Sequence, residues 1–309
     1  MQNTITYHLA IIWRQIVGCA VPIFLAISGY FMGKKQVSTK SQYISFLKRQ
    51  MPRVYIPMLI WSIPYLFLSI YSERNVLFSI IFYFAGGFTV YYFIALIVQY
   101  YMLLPILQKM GGNLKGLIIS AVVSSVCMLI LFYLTMIRDL SFPLIVYAGP
   151  FPVWMVFFVL GIYLGHNDRL LASKRRLFIF VFLGLIISVA ETYLHIYISD
   201  SLTGLGIKAG AFIYSFAVIL LLFSYKTTKS SNSQVWHFFV YLGKISFGVY
   251  LTHMLFLIYL IRPIVGTINT TNFFFNQFLM ILLTTFCCVI FISIVRRVNK
   301  PFAVKYLGF

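Results

Sequence analysis

The sequence predicts an all-α polytopic membrane helix bundle of about nine transmembrane helices, on three observations. Of its 309 residues, 61% are hydrophobic and 9% charged, against about 25% charged in an ordinary soluble domain. The mean hydropathy is +0.95. Apolar runs approaching the ~20 residues a helix needs to cross a bilayer follow one another with only short polar breaks. Little chain remains for a soluble domain, so residues 1–309 read as a single integral membrane domain.

Each run is bounded by polar punctuation. Residues 10–32 end at Lys34 and Lys35, and residues 54–71 open after Arg53 and stop before Ser72. Residues 76–87, VLFSIIFYFAGG, are apolar but too short to cross and close on a glycine pair, which predicts a re-entrant or interfacial segment. Residues 88–107 run up to Lys109, and residues 117–137 lie between Lys115 and Arg138. Residues 151–165 follow the Gly149-Pro150 turn, and residues 177–195 follow Lys174, Arg175 and Arg176. Residues 209–223 begin after Lys208, residues 245–261 lie between Lys244 and Arg262, and residues 273–295 end at Arg296 and Arg297.

Net charge is +19, with 24 Lys and Arg against 5 Asp and Glu. In a soluble chain that balance would point to nucleic acid; between apolar spans it encodes topology, and no nucleic-acid partner is expected. Nineteen of the 24 cations fall in alternate loops and the carboxyl tail, including Lys34, Lys35, Lys40, Lys48, Arg49 and Arg53 after the first run, Arg169, Lys226 and Lys229. The opposite side holds only Arg14, Arg74, Arg138, Lys208 and Arg262. Because basic residues gather in cytoplasmic loops, a multi-pass protein of the cell membrane is expected, with its carboxyl terminus in the cytoplasm and its amino terminus outside. No basic residue precedes the first run and no small-residue cleavage site follows it, which argues against a secretory signal. An odd number of spans starting outside in such a chain leads to the expectation that a first span is missing.

The 4 cysteines all lie within apolar runs and read as small core residues. No metal is expected, because His8, His166 and His237 lack partners at ligand spacing. The sequence has no GxSxG elbow, Walker loop, HExxH or dinucleotide fingerprint, which leaves hydrolase, NTPase and metalloprotease readings without support.

Four segments taken in order, VPIFLAISGY (21–30), FLKRQMPRVYIP (46–57), YYFIALIVQYYMLLPIL (91–107) and ISFGVYLTHMLFL (245–257), give the chain a likeness to a known family. It resembles the acyltransferase family 3 membrane proteins, which are multi-span O-acyltransferases of cell-surface glycans and related acceptors. The resemblance implies transfer of an acyl group from acyl-CoA to a hydroxyl, with membrane lipids around the protein and a glycan or lipid-linked sugar as acceptor. It also implies a helix ahead of the VPxFFxxSGY segment that bears an Arg and, about three turns later, a catalytic His. Only 20 residues precede Val21 here, and His8 comes before Arg14 rather than after it. The catalytic roles are therefore not carried onto that pair; if the catalytic His lies on an absent amino-terminal helix, the chain alone should be inactive.

Candidate site residues follow from chemistry beside the resemblance. Arg49 and Arg53 sit four apart, which places both guanidinium groups on one helix face. Arg forks suit the phosphates of acyl-CoA, acetyl-CoA in the simplest case, and the same charges equally suit anionic lipid headgroups. Ser28, Gly29 and Tyr30 can line the passage of the thioester or pantetheine arm, or can pack helices through small residues. Glu191 lies one turn before His195 near the end of an apolar run. A carboxylate in such a run is costly and tends to face a polar cavity, so the pair reads as a general base for an acceptor hydroxyl or as part of a structural salt bridge. His253, the most deeply placed histidine, reads as a tunnel-lining or catalytic residue, or as a neutral histidine satisfied by a neighbouring helix. Tyr91 fits an interfacial aromatic belt, and Tyr92 and Phe93 fall where the resemblance implies an aromatic cluster.

The expected function is a membrane O-acyltransferase moving acetyl from acetyl-CoA to a surface polysaccharide or lipid-linked sugar. The alternatives are a polysaccharide or metabolite exporter, for which internal repeats and broken helices would be expected, and a catalytically inactive truncated family member.

Overall fold

A computed structural model describes residues 5–72, 75–167, 173–199, 207–225, 233–268 and 273–309. Arg74, Arg169, Lys226 and Lys229, which entered the charge balance, lie outside the described residues. Among those described, the secondary structure is entirely helical. In chain order the helices are α1 (Ile5–Val17), α2 (Ala20–Gly33), α3 (Lys40–Tyr71), α4 (Val76–Ala85), α5 (Tyr92–Met102), α6 (Leu104–Gly111), α7 (Leu114–Phe132), α8 (Leu144–Ala148), α9 (Phe151–His166), α10 (Lys174–Ser199), α11 (Ala209–Ser224), α12 (Gln234–Phe256), α13 (Arg262–Ile268), α14 (Phe273–Val298) and α15 (Lys300–Phe302). Single π-helical turns extend α7 over Tyr133–Ile137 and join α12 to α13 over Leu257–Ile261.

The all-α membrane architecture is as expected; the count of about nine spans is not confirmed. Six helical stretches among the described residues are long and apolar enough to cross a membrane: Ile5–Gly33, Lys40–Tyr71, Leu114–Ile137, Lys174–Ile198, Trp236–Thr267 and Phe273–Val298. The count rises to seven if α5 and α6, bent by 77° at their junction, form one broken span. Pro105, which has no N–H to give to a helix interior, sits in the first turn of α6 where that N–H is not needed, so the chain restarts there instead of continuing straight. The two remaining runs became α9 and α11, each 16 residues and so about 24 Å long, short of a ~30 Å hydrocarbon core. An all-round apolar helix signals burial in protein as well as in lipid. α9 is such a case, because it is buried without interruption from Val153 to Ile162. The short run at 76–87 forms α4, only 10 residues long, capped at its start by the Asn75 side chain and closed by Gly86 in the left-handed conformation.

The chain packs as two units. The first comprises Met1–Ile44 and Gln99–Thr227. Its core is α9, against which α2 lies so closely that backbone meets backbone at Gly29 and Gly161. Tyr100 stacks on Phe158 with ring centroids 4.4 Å apart and donates its hydroxyl to the Phe151 carbonyl at 2.8 Å. Gln99 spans the α8–α9 turn, donating to the Gly149 carbonyl and accepting from the Phe151 N–H. Gln108 of α6 donates to the carbonyls of Met32 and Lys35, which satisfies the carbonyl end of α2.

The second unit comprises Ser45–Val98 and Thr228–Phe309. Tyr91, fully buried, donates its hydroxyl to the Leu251 carbonyl of α12 at 2.7 Å and packs edge-on against Tyr65 of α3. Tyr91 thus serves the interior of this unit rather than the interfacial belt expected of it, because the hydroxyl finds a carbonyl to pair with inside the protein. The Trp61 indole N–H donates to the Leu307 carbonyl at 3.1 Å, and Phe309 closes a cluster with Ile245, Ile292 and Ala303.

Candidate functional site

Arg49 and Arg53 are both exposed on α3, one turn apart. Three prolines, Pro52, Pro57 and Pro64, interrupt the hydrogen-bond ladder of this helix without ending it. The arginine pair belongs to the second unit, while Ser28, Gly29 and Tyr30 belong to the first.

Within α2 the three small-motif residues have different surroundings. Gly29 is committed to helix packing, because a Cβ there would lie 2.0 Å from the Phe158 carbonyl oxygen of α9. Ser28 is half-buried. Tyr30 accepts a hydrogen bond from the Lys34 ammonium at 2.7 Å, holds that ammonium 3.9 Å above its ring and packs edge-on against Phe223 of α11.

Glu191 and His195 occur one turn apart on α10, in the first unit. The Glu191 carboxylate accepts from the backbone N–H groups of Ala209 (3.1 Å) and Gly210 (2.6 Å). It therefore caps the N-terminus of α11, where the first amides lack intrahelical partners and the dipole favours negative charge. His195 is buried, its ring 5.4 Å from that of Phe132.

Sequence reasoning missed the group that completes this region. Lys208, counted among the few cations of the outer side, is 1% exposed and donates to the Ser188 carbonyl at 2.7 Å and to the Thr192 hydroxyl. Ser188 donates in turn to the Gln15 side-chain oxygen at 3.0 Å. Lys208 immediately precedes α11, outside the spanning helices. Burial pulls its ammonium down to about 8 from an ordinary 10.5, a fall that Glu191 opposes and Arg14 reinforces. The available signal was a lone cation set directly before an apolar helix, together with Gln15 placed inside an apolar run.

Glu191→Ala should lower stability by about 1–2 kcal/mol through loss of the cap. Glu191→Gln, which keeps one amide acceptor, should lose less. Thermal unfolding of the two variants in detergent checks the order; equal melting to the parent for Glu191→Ala would remove the capping role.

His253 lies in the second unit on α12. Its Nδ1 is 2.7 Å from the Tyr250 carbonyl oxygen. A carbonyl only accepts, so Nδ1 carries the proton, and in the neutral ring Nε2 holds a lone pair available to a substrate proton. The Tyr250 hydroxyl donates to the Val90 carbonyl, and its ring packs edge-on to Phe93 at 5.6 Å. The aromatic residues expected at 91–93 thus help to fix the helix that carries His253.

A cavity of about 410 Å³ lies within the first unit among α7, α9, α10 and α11. Its lining, which includes Phe157, Phe180, Phe212, Phe216 and Leu220, is almost wholly apolar, and none of the candidate site residues lines it. Among the described residues no group of three or more His, Cys, Asp and Glu side chains gathers to hold a metal ion.

No curated protein and no solved structure matches the chain. The acyltransferase 3 family model, described as an acyltransferase domain, matches residues 2–293. That match takes in α1 to α13 and most of α14, and with them the arginine pair, the SGY segment, the Glu191–His195 turn and His253. With the family's four segments present in order on a set of membrane-length helices, the chain belongs to the acyltransferase 3 family.

Proposed function

We propose that this protein transfers an acyl group, most simply acetyl, from cytosolic acyl-CoA to a hydroxyl of a surface polysaccharide or a lipid-linked sugar. The observation that carries the reading is the exposed Arg49–Arg53 pair, one helical turn apart in a chain of acyltransferase descent. Two guanidinium forks at that spacing match the phosphates of the coenzyme. The second group in the same unit is His253, with Nδ1–H anchored on a carbonyl and Nε2 left as the acceptor. In the reaction, Nε2 takes the proton of the acceptor hydroxyl as that oxygen attacks the thioester carbonyl. The C–O bond forms, the C–S bond breaks, and the departing thiolate recovers the proton from the imidazolium.

The test is transfer from labelled acetyl-CoA in membranes containing the full chain. Arg49→Ala and Arg53→Ala should each reduce transfer at least tenfold at low acetyl-CoA, chiefly through KM, because they remove ground-state contacts to the donor. His253→Ala should instead depress kcat, by roughly 10²–10⁴ for a lost general base.

One observation favours a second reading. The 77° break between α5 and α6 is the kind of interrupted helix on which transporters build their sites. Absence of transfer together with flux of a polysaccharide or metabolite across the membrane would establish the exporter. Absence of both would mark the chain as a catalytically inactive family member.

A further inference from the structure

The region around Lys208 is rich in donors and cations and poor in acceptors. Gln15 is 3% exposed; its side-chain oxygen accepts from Ser188, yet its amide nitrogen is buried without a hydrogen-bond partner. An unmet buried donor is costly, so such a group calls for a partner. Lys208 has three protons, two of which go to the Ser188 carbonyl and the Thr192 hydroxyl. Arg14, next to Gln15 and exposed, stands close enough to push against the Lys208 charge. The positive end of the α11 dipole opens on the same place. Against this stands Glu191, whose two oxygens are engaged by the α11 amides.

We propose that Arg14, Gln15 and Lys208 form a binding site for an oxyanion, the phosphate or carboxylate group of a lipid or sugar. The oxyanion receives the Gln15 amide N–H and the third Lys208 proton, and Arg14 at the exposed rim supplies the second positive charge. A neutral hydroxyl would satisfy the amide but add no negative charge to the Lys208 ammonium and the Arg14 guanidinium that acts on it, whereas an oxyanion answers both needs. Glu191 spends its two carboxylate oxygens on the Ala209 and Gly210 amides. Burial pulls the ammonium down to about 8, and a bound negative charge would favour its protonated form. The site lies wholly in the first unit and does not depend on the acyl-transfer reading.

Equilibrium uptake of labelled inorganic phosphate and of glucuronate by the purified full chain in phosphatidylcholine nanodiscs tests the site, with glucose as the neutral probe and no acyl-CoA present. The parent should take up both anions saturably and glucose not at all. Lys208→Met and Gln15→Leu, each checked for a parental elution profile in size exclusion, should weaken anion uptake at least tenfold, while loss of an exposed cation of the second unit in Lys300→Met should leave it unchanged. Repeating the phosphate measurement in phosphatidylglycerol nanodiscs separates the sources: suppression identifies a lipid headgroup as the natural oxyanion, and equal uptake identifies a sugar-borne one. No saturable uptake, equal uptake of glucose, or undiminished uptake by a Lys208→Met or Gln15→Leu chain that elutes like the parent overturns the proposal.

Discussion

Gly161→Val leaves no monodisperse folded protein. A Cβ at residue 161 would stand 1.9 Å from the Ala26 carbonyl oxygen and 2.7 Å from its carbon, and both are backbone atoms of α2. The reciprocal contact is equally tight, with a Cβ at Gly29 only 2.0 Å from the Phe158 carbonyl oxygen. Side-chain rotation relieves neither clash, so the two helices would have to separate as rigid rods. Separation would open the contact in which Leu25, Ala26, Phe158 and Ile162 are buried. Within a membrane that contact is not driven by exclusion of water. It depends on van der Waals packing and close backbone approach, which only small residues permit. The expected loss is about 3–5 kcal/mol or more, a large share of the roughly 5–15 kcal/mol that holds a typical protein folded. Fluorescence-detected size exclusion of detergent extracts provides the readout. Gly243→Ala is the control, because nothing lies within 4 Å of a Cβ there and the elution profile should be unchanged. A Gly161→Val chain that elutes and melts like the parent would show that α2 and α9 do not meet as described.

The second large effect is a rise in stability with pH that belongs to Lys208. Its ammonium titrates at about 8 in the folded protein against an ordinary 10.5. Between those values the unfolded chain holds a proton that the folded chain has released, so unfolding takes up a proton and becomes harder as pH rises. Below pH 8 both states are protonated and the slope vanishes, leaving the folded state with the full cost of the buried charge. Across the window the gain is roughly 3 kcal/mol. Arg14 and Glu191, the charged groups that act on Lys208, are present in parent and variant alike. The measurement is the difference in melting temperature between the parent and Lys208→Met from pH 7 to 10.5. The difference should move in favour of the parent above pH 8; a constant difference would mean that the ammonium is not confined as described.

The sequence alone determined that this is an all-helical membrane protein and to which family it belongs. Lipid imposes its demand residue by residue, as runs of apolar side chains broken by cations, and the VPIFLAISGY and ISFGVYLTHMLFL segments are contiguous in the chain. It also brought out Arg49 and Arg53, whose pairing depends only on the pitch of one helix, and the close spacing of Glu191 and His195 on another. Tertiary structure alone decided what lies between helices. Hydropathy does not distinguish a helix wrapped by protein from one wrapped by lipid, so the apolar run of α9 did not reveal that it is the buried core of its unit. Nor does it reveal that the acceptors of Glu191 face the first amides of α11, or that Lys208, apparently a loop cation, turns inward to Ser188, Thr192 and, through Ser188, Gln15. Those contacts join residues as much as 173 positions apart, and what decides them is the need of buried polar groups to find partners where no water reaches.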